Sequence, residues 1–129
     1  MVDHPVIYSI QKEYGHNPLE WVDKRANDSI HYVQKKSIPW PHSENLMAMY
    51  IADDVVTCSK HISKRILKLS RRFHPNLNNK IMKIVNCMNR YNLFDVKENL
   101  QCRYEIVSEL GMDGNWVIKD DLKDLLDIL

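Results

Sequence analysis

Residues 43–74 read SENLMAMYIADDVVTCSKHISKRILKLSRRFH. Within them Met47, Ile51, Val55, Cys58, Ile62, Ile66, Leu69 and Phe73 follow one another at spacings of 4, 4, 3, 4, 4, 3 and 4. An apolar residue every three or four positions draws one stripe along an α-helix. Ser43 suits the N-cap, and His74-Pro75 closes the segment because proline drives its predecessor out of helical geometry. No proline or glycine interrupts the run. It reads as one long helix or, since globular helices average about 11–12 residues, as two helices with a turn around Thr57–His61.

The same period continues on both sides. Upstream, Asn17-Pro18-Leu19-Glu20 has the order of a cap, a first-turn proline and a reciprocating carboxylate. Leu19, Val22, Ala26, Ile30 and Val33 then mark a helix over about 18–36, ended by the Pro/Trp linker 37–42. Downstream, Asn78 or Asn79 caps a shorter helix with Ile81, Ile84, Val85 and Met88, and Asp95-Val96-Lys97-Glu98 reads as a capping box. The stripe Val96, Leu100, Tyr104, Val107 and Leu110 stops at Gly111, and Asp120 or Asp121 opens a last helix with Leu122, Leu125, Leu126 and Leu129. Strand signals are confined to Val6–Ile10 and Trp116–Ile118, each too short to found a sheet. The expectation is an all-α, single-domain bundle of about five helices over 1–129, with residues 1–16 an irregular N-terminal arm.

The chain has 129 residues, 44% hydrophobic and 27% charged, with a net charge of +1. This is the composition of a globular domain able to bury a core without a disulfide or metal staple. Three glycines are too few for a glycine-rich nucleotide loop, and no stretch approaches the roughly 18 apolar residues of a membrane span. Met1-Val2-Asp3-His4-Pro5 lacks the basic flank and apolar run of a secretory signal, and three widely spaced cysteines suit a reducing compartment. The expectation is an intracellular protein, nuclear or cytoplasmic and monomeric.

The near-neutral total conceals strong polarity. Residues 1–59 carry a net −3, residues 60–90 hold nine cations and no anion, and residues 91–129 carry a net −5. Three readings of the basic segment stay open. It packs beside the acidic C-terminal segment and is neutralised within the fold; or Lys64, Arg65, Lys68, Arg71 and Arg72 form an exposed ridge meeting nucleic-acid phosphates; or that ridge meets an acidic protein.

Catalytic constellations are absent. The six histidines never fall into H-x-x-x-H, and Cys58 with His61 is half of a zinc site that no second pair completes. Asp113-x-Asn115 lacks the glycine placement and bidentate Glu of a calcium loop. Asp53 and Asp54, adjacent on a helix, point about 100° apart and do not converge on one atom. The chain is expected to be non-catalytic, without cofactor or metal. The aromatics say more: Trp21, Tyr32, Trp40 and Tyr50 all lie in the first fifty residues. Aromatic anchors dominate interface energetics. Trp21 reads as a core or lid residue, while Trp40, between two prolines, and Tyr50 suit an interface.

Residues 28–70 resemble a known family. His31-Tyr32-x-x-Lys35-Lys36 is similar to the His-Trp-x-x-Arg-Arg of the XTBD domain, a small helical module. Met49-Tyr50-Ile51-Ala52-Asp53-x-Val55 resembles its Met-x-Trp-Ala-Asn-x-Val, Cys58 its Gly-Cys cysteine, and Ile62-x-x-Arg65-Ile66-Leu67-x-Leu69-Ser70 its Val-x-x-Lys-Ile-Leu-x-Met-Ala. Ile51 stands where the family has tryptophan and Thr57 where it has glycine, and the stretch before Cys58 is one residue short. The resemblance implies a non-catalytic adaptor that binds a nuclear 5′-to-3′ exoribonuclease through Tyr50 and its neighbours. The expected docking face is centred on Trp40 and Tyr50, with Met47 and Asp54 beside them. Nucleic-acid binding through the 60–90 segment is the alternative.

Overall fold

The computed structural model describes residues 2–35, 43–111 and 118–128. Among these the chain is entirely helical: α1 (His4–Glu13), α2 (Leu19–Val33), α3 (Glu44–Thr57), α4 (Lys60–Phe73), α5 (Pro75–Arg90), α6 (Val96–Glu109) and α7 (Ile118–Ile128). That is seven helices where the sequence gives an expectation of about five. Two differences account for the count.

The first is the segment 43–74, which is two helices. Thr57 ends α3, and Cys58 and Ser59 take extended backbone angles before Lys60 opens α4. The break falls where Asp23 of α2 accepts from the Ser59 backbone N–H at 2.7 Å and from its hydroxyl, so an orphan donor of α4 is satisfied across the bundle rather than locally. The second is residues 4–13, expected to be irregular and instead helical. Val6–Ile10 has β propensity, but that scale spans only about 1 kcal/mol and yields to tertiary packing. Pro5 starts the helix without losing a hydrogen bond, Val2 enters the core at 2% exposure, and His4 reaches Asp53 of α3.

α3 is the central element. Met47, Ala48, Ile51, Ala52, Asp53, Asp54 and Val55 are all buried, as befits a helix covered on most sides. It packs on α5, whose Leu77, Ile81, Ile84, Val85 and Met88 form the opposing face, and is flanked by α1, α2 and α4. α4 lies across α2, α3 and α5, burying Ile62, Ile66 and Ser70, while α6 lies between α5 and α7.

Helix ends follow the sequence signals unevenly. Asp95 caps α6, accepting from Glu98 N–H at 2.9 Å, and Gly111 takes φ 65° after it. Asn17 gives α2 no side-chain cap. Asn78, expected as a cap, is buried one turn inside α5, which already begins at Pro75. Its amide donates to Ser70 Oγ at 2.8 Å and links α5 to α4. The linker 37–42 and the turn 112–115 lie outside the described residues.

Candidate functional site

Two surfaces stand out. The first is a cleft between α2 and α3 with a volume of about 380 Å³. Helical spacing aligns Arg25, Asp28, Ser29 and Tyr32 on one wall, and Met47, Tyr50, Ile51, Asp53 and Asp54 on the other, with His4 of α1 closing the end. Its floor is polar and buried. Arg25 Nε donates to Asp54 Oδ1 at 2.7 Å and Nη2 to Asp53 Oδ2 at 3.3 Å. Ser29 Oγ donates to Asp54 Oδ2 at 2.6 Å, and His4 Nδ1 lies 2.6 Å from Asp53 Oδ2. Beyond the guanidinium, Trp21 and Tyr8 pack edge to face, with Arg25 5.3 Å from the Trp21 ring centre.

Asp53 and Asp54 do diverge, as adjacent helical residues must, yet the planar fork of one guanidinium bridges both. Burial pushes the Asp54 carboxyl above its ordinary value, more than the Ser29 hydroxyl and Arg25 bring it down. Asp53 Oδ1 is buried and makes no hydrogen bond among the described residues. An unsatisfied buried acceptor costs on the order of 1–3 kcal/mol. Such a cluster is held at an expense to stability, the pattern of functional clefts.

The expected contact residues divide around this cleft. Tyr50 stands at its rim, 54% exposed. Met47, 4% exposed, and Asp54, 3% exposed, are not surface contacts but parts of the floor, because α3 is covered on the faces they occupy. Trp40 lies outside the described residues. Trp21 is not core but 46% exposed, packed beneath α1. Sequence reasoning missed Arg25, Ser29 and His4. The available signal was two acids on the helix destined for the centre, which demand a cation from a neighbour.

The second surface is the outer face of α4. Lys60, Lys64, Arg65, Lys68, Arg71 and Arg72 are all exposed, and none forms an ion pair among the described residues. The basic segment's two ion pairs there both come from α5, Lys80 with Glu44 and Arg90 with Glu105. α5 packs on α6, where Arg90 pairs with Glu105, but α4 packs on neither α6 nor α7, so among the described residues the cations of α4 are not neutralised against the acidic C-terminal helices.

Among the described residues no group of three His, Cys, Asp or Glu side chains is placed to hold a metal ion, and no helix is long and apolar enough to cross a membrane. Cys58, Cys87 and Cys102 are free thiols. Compared with known proteins, the chain matches no protein family, no curated protein and no solved structure.

Proposed function

We propose that the protein is a non-catalytic interaction module that seats a segment of a protein partner in the α2–α3 cleft. The observation carrying this reading is the cleft itself: an open groove of about 380 Å³ whose rim carries the exposed Tyr50 and whose floor is a buried, cross-braced polar cluster. A tyrosine offers a large rigid contact area with a polar tip, and such residues supply interface anchors worth roughly 2 kcal/mol or more. Tyr32 on the facing wall offers a second ring to the same segment. Arg25 and the two aspartates fix the spacing of the walls, so the groove needs little reorganisation on binding.

The two carboxylates do not act as an acid–base pair in this reading. Asp54 has both oxygens occupied by Arg25 and Ser29, and Asp53 is shared between His4 and Arg25. Their role is to hold α1, α2 and α3 together around the groove.

The resemblance to XTBD domains nominates a nuclear 5′-to-3′ exoribonuclease as the first partner to mix directly with the purified protein. The broader test is affinity capture from nuclease-treated native lysate with the wild type and Tyr50→Ala. A partner retained after nuclease and lost with the substitution, at unchanged melting temperature, supports the reading. Early melting of Tyr50→Ala, or capture unaffected by it, removes Tyr50 from the docking face.

A further inference from the structure

We infer that the outer face of α4 is a second, independent binding surface, one that grips the phosphate backbone of a nucleic-acid duplex without reading its bases. Six exposed cations lie within the thirteen residues Lys60–Arg72, a helical length of about 18 Å at 1.5 Å per residue. Lys60, Lys64, Lys68 and Arg71 recur at spacings of 4, 4 and 3 and so share the face opposite Ile62, Ile66 and Ser70, which are buried. Residues 60–90 contain no acid, and the six cations make no ion pair among the described residues. Asp23 of α2 is committed to Ser59 at the start of α4.

The patch extends past the helix end. His74 bonds the backbone carbonyl of Lys35, which brings that exposed lysine to the C-terminal end of the ridge. In the middle, Lys64, Lys68, Arg71 and Arg72 surround Leu67 in a shallow depression of about 390 Å³. Cations grouped so closely repel one another, and a polyanion relieves that repulsion while releasing its own counterions.

Two features select a duplex. The exposed face lacks an extended aromatic platform on which single-stranded bases stack: Phe73 is half-buried with the Arg72 guanidinium 5.1 Å from its centre, and the exposed ring of His61 is a single imidazole. α4 is also packed against α2, α3 and α5, an arrangement that suits lying along the phosphate backbone better than reaching base edges deep in a major groove. What remains is contact with phosphates.

The test is fluorescence anisotropy of the full chain with a labelled 20-base-pair DNA duplex. Binding is expected at about 50 mM salt, with log K falling against log salt at a slope near −4 to −5, about 0.9 per phosphate neutralised. The variant K64Q/K68Q/R71Q is expected to bind about tenfold or more weakly, with the slope reduced by about 3 and the melting temperature unchanged. A control that removes the same charge elsewhere, K12Q/K97Q/K123Q, is expected to keep the wild-type slope. The inference is overturned by no binding at that salt, by equal loss in the control, by equally tight single-strand binding, or by polyglutamate binding in preference to the duplex.

Discussion

Arg25 Nε lies 2.7 Å from Asp54 Oδ1, joining the middle of α2 to the last turn of α3, while its Nη2 reaches Asp53 on the same helix. One guanidinium thus braces two buried carboxylates at the floor of the cleft. Removing the cation leaves Asp54 with the Ser29 hydroxyl and Asp53 with His4. Breaking a buried pair in this way costs about 3–5 kcal/mol, and because Arg25 is itself partly exposed about 2–3 kcal/mol is expected here. Arg25→Met should therefore lower the melting temperature by about 6–15 °C, read by circular dichroism. An unchanged melt would show that the brace contributes nothing to the fold.

The bond between Asp23 and Ser59 caps α4 from another helix. Asp23→Ala removes an acceptor from two donors at the α4 N-terminus, and a lost cap costs about 1–2 kcal/mol. The expected outcome is a lower urea midpoint with faster hydrogen exchange confined to the first turn of α4. Exchange rising equally in α6 would contradict the local origin of the effect.

Stability should depend on pH through opposing carboxyls. The Arg103 hydrogen bond holds Asp3 below its ordinary value, and the Tyr91 hydroxyl, 2.6 Å away, does the same for Glu105. Their contributions are complete above the ordinary values of 3.8 and 4.5 and are lost as pH falls through the lower folded ones. Asp54 has the opposite sign. Its raised folded value means that acidification first favours the native state, until the unfolded chain also takes up the proton near 3.8. Urea titrations from pH 7 to 3 should show a steep acid limb that flattens in Asp3→Asn/Glu105→Gln, and Asp54→Asn should lose the opposing contribution at mildly acid pH. An acid limb equally steep in the double variant would disprove the assignment. At the alkaline end Tyr91, pushed up to about 12 by its hydrogen bond to Glu105, contributes stability that is complete below pH 10.0 and is lost as pH rises through about 12.

The helical class was legible because period and punctuation agreed over most of the chain. The α6 cap at Asp95 and the closure of α4 at His74-Pro75 are local events, decided by residues a few positions apart. The break at Cys58–Ser59 was only half legible. The turn was one of two readings, and what selects it is Asp23, 36 residues away. α1 was hidden for the same reason, since Val2 is buried in the core and His4 reaches Asp53 of α3, 49 positions away. In the cleft, Tyr50 could be singled out as an aromatic on a helix, but Met47 and Asp54 were assigned to the surface because a stripe does not reveal that α3 is covered on nearly every side. Arg25, the residue on which the site turns, carries no motif; only the need of a buried acid for a cation points to it.

The seating of a partner in the α2–α3 cleft is tested most directly by photo-crosslinking from position 50. With p-benzoyl-phenylalanine replacing Tyr50, irradiation in nuclease-treated lysate should yield one discrete adduct, and the same probe replacing Lys97, exposed on α6, should yield none of it. The adduct should also disappear in the presence of excess unlabelled wild-type protein. An identical pattern from both positions, or no adduct from position 50 in a protein that still captures its partner, would place the docking surface elsewhere.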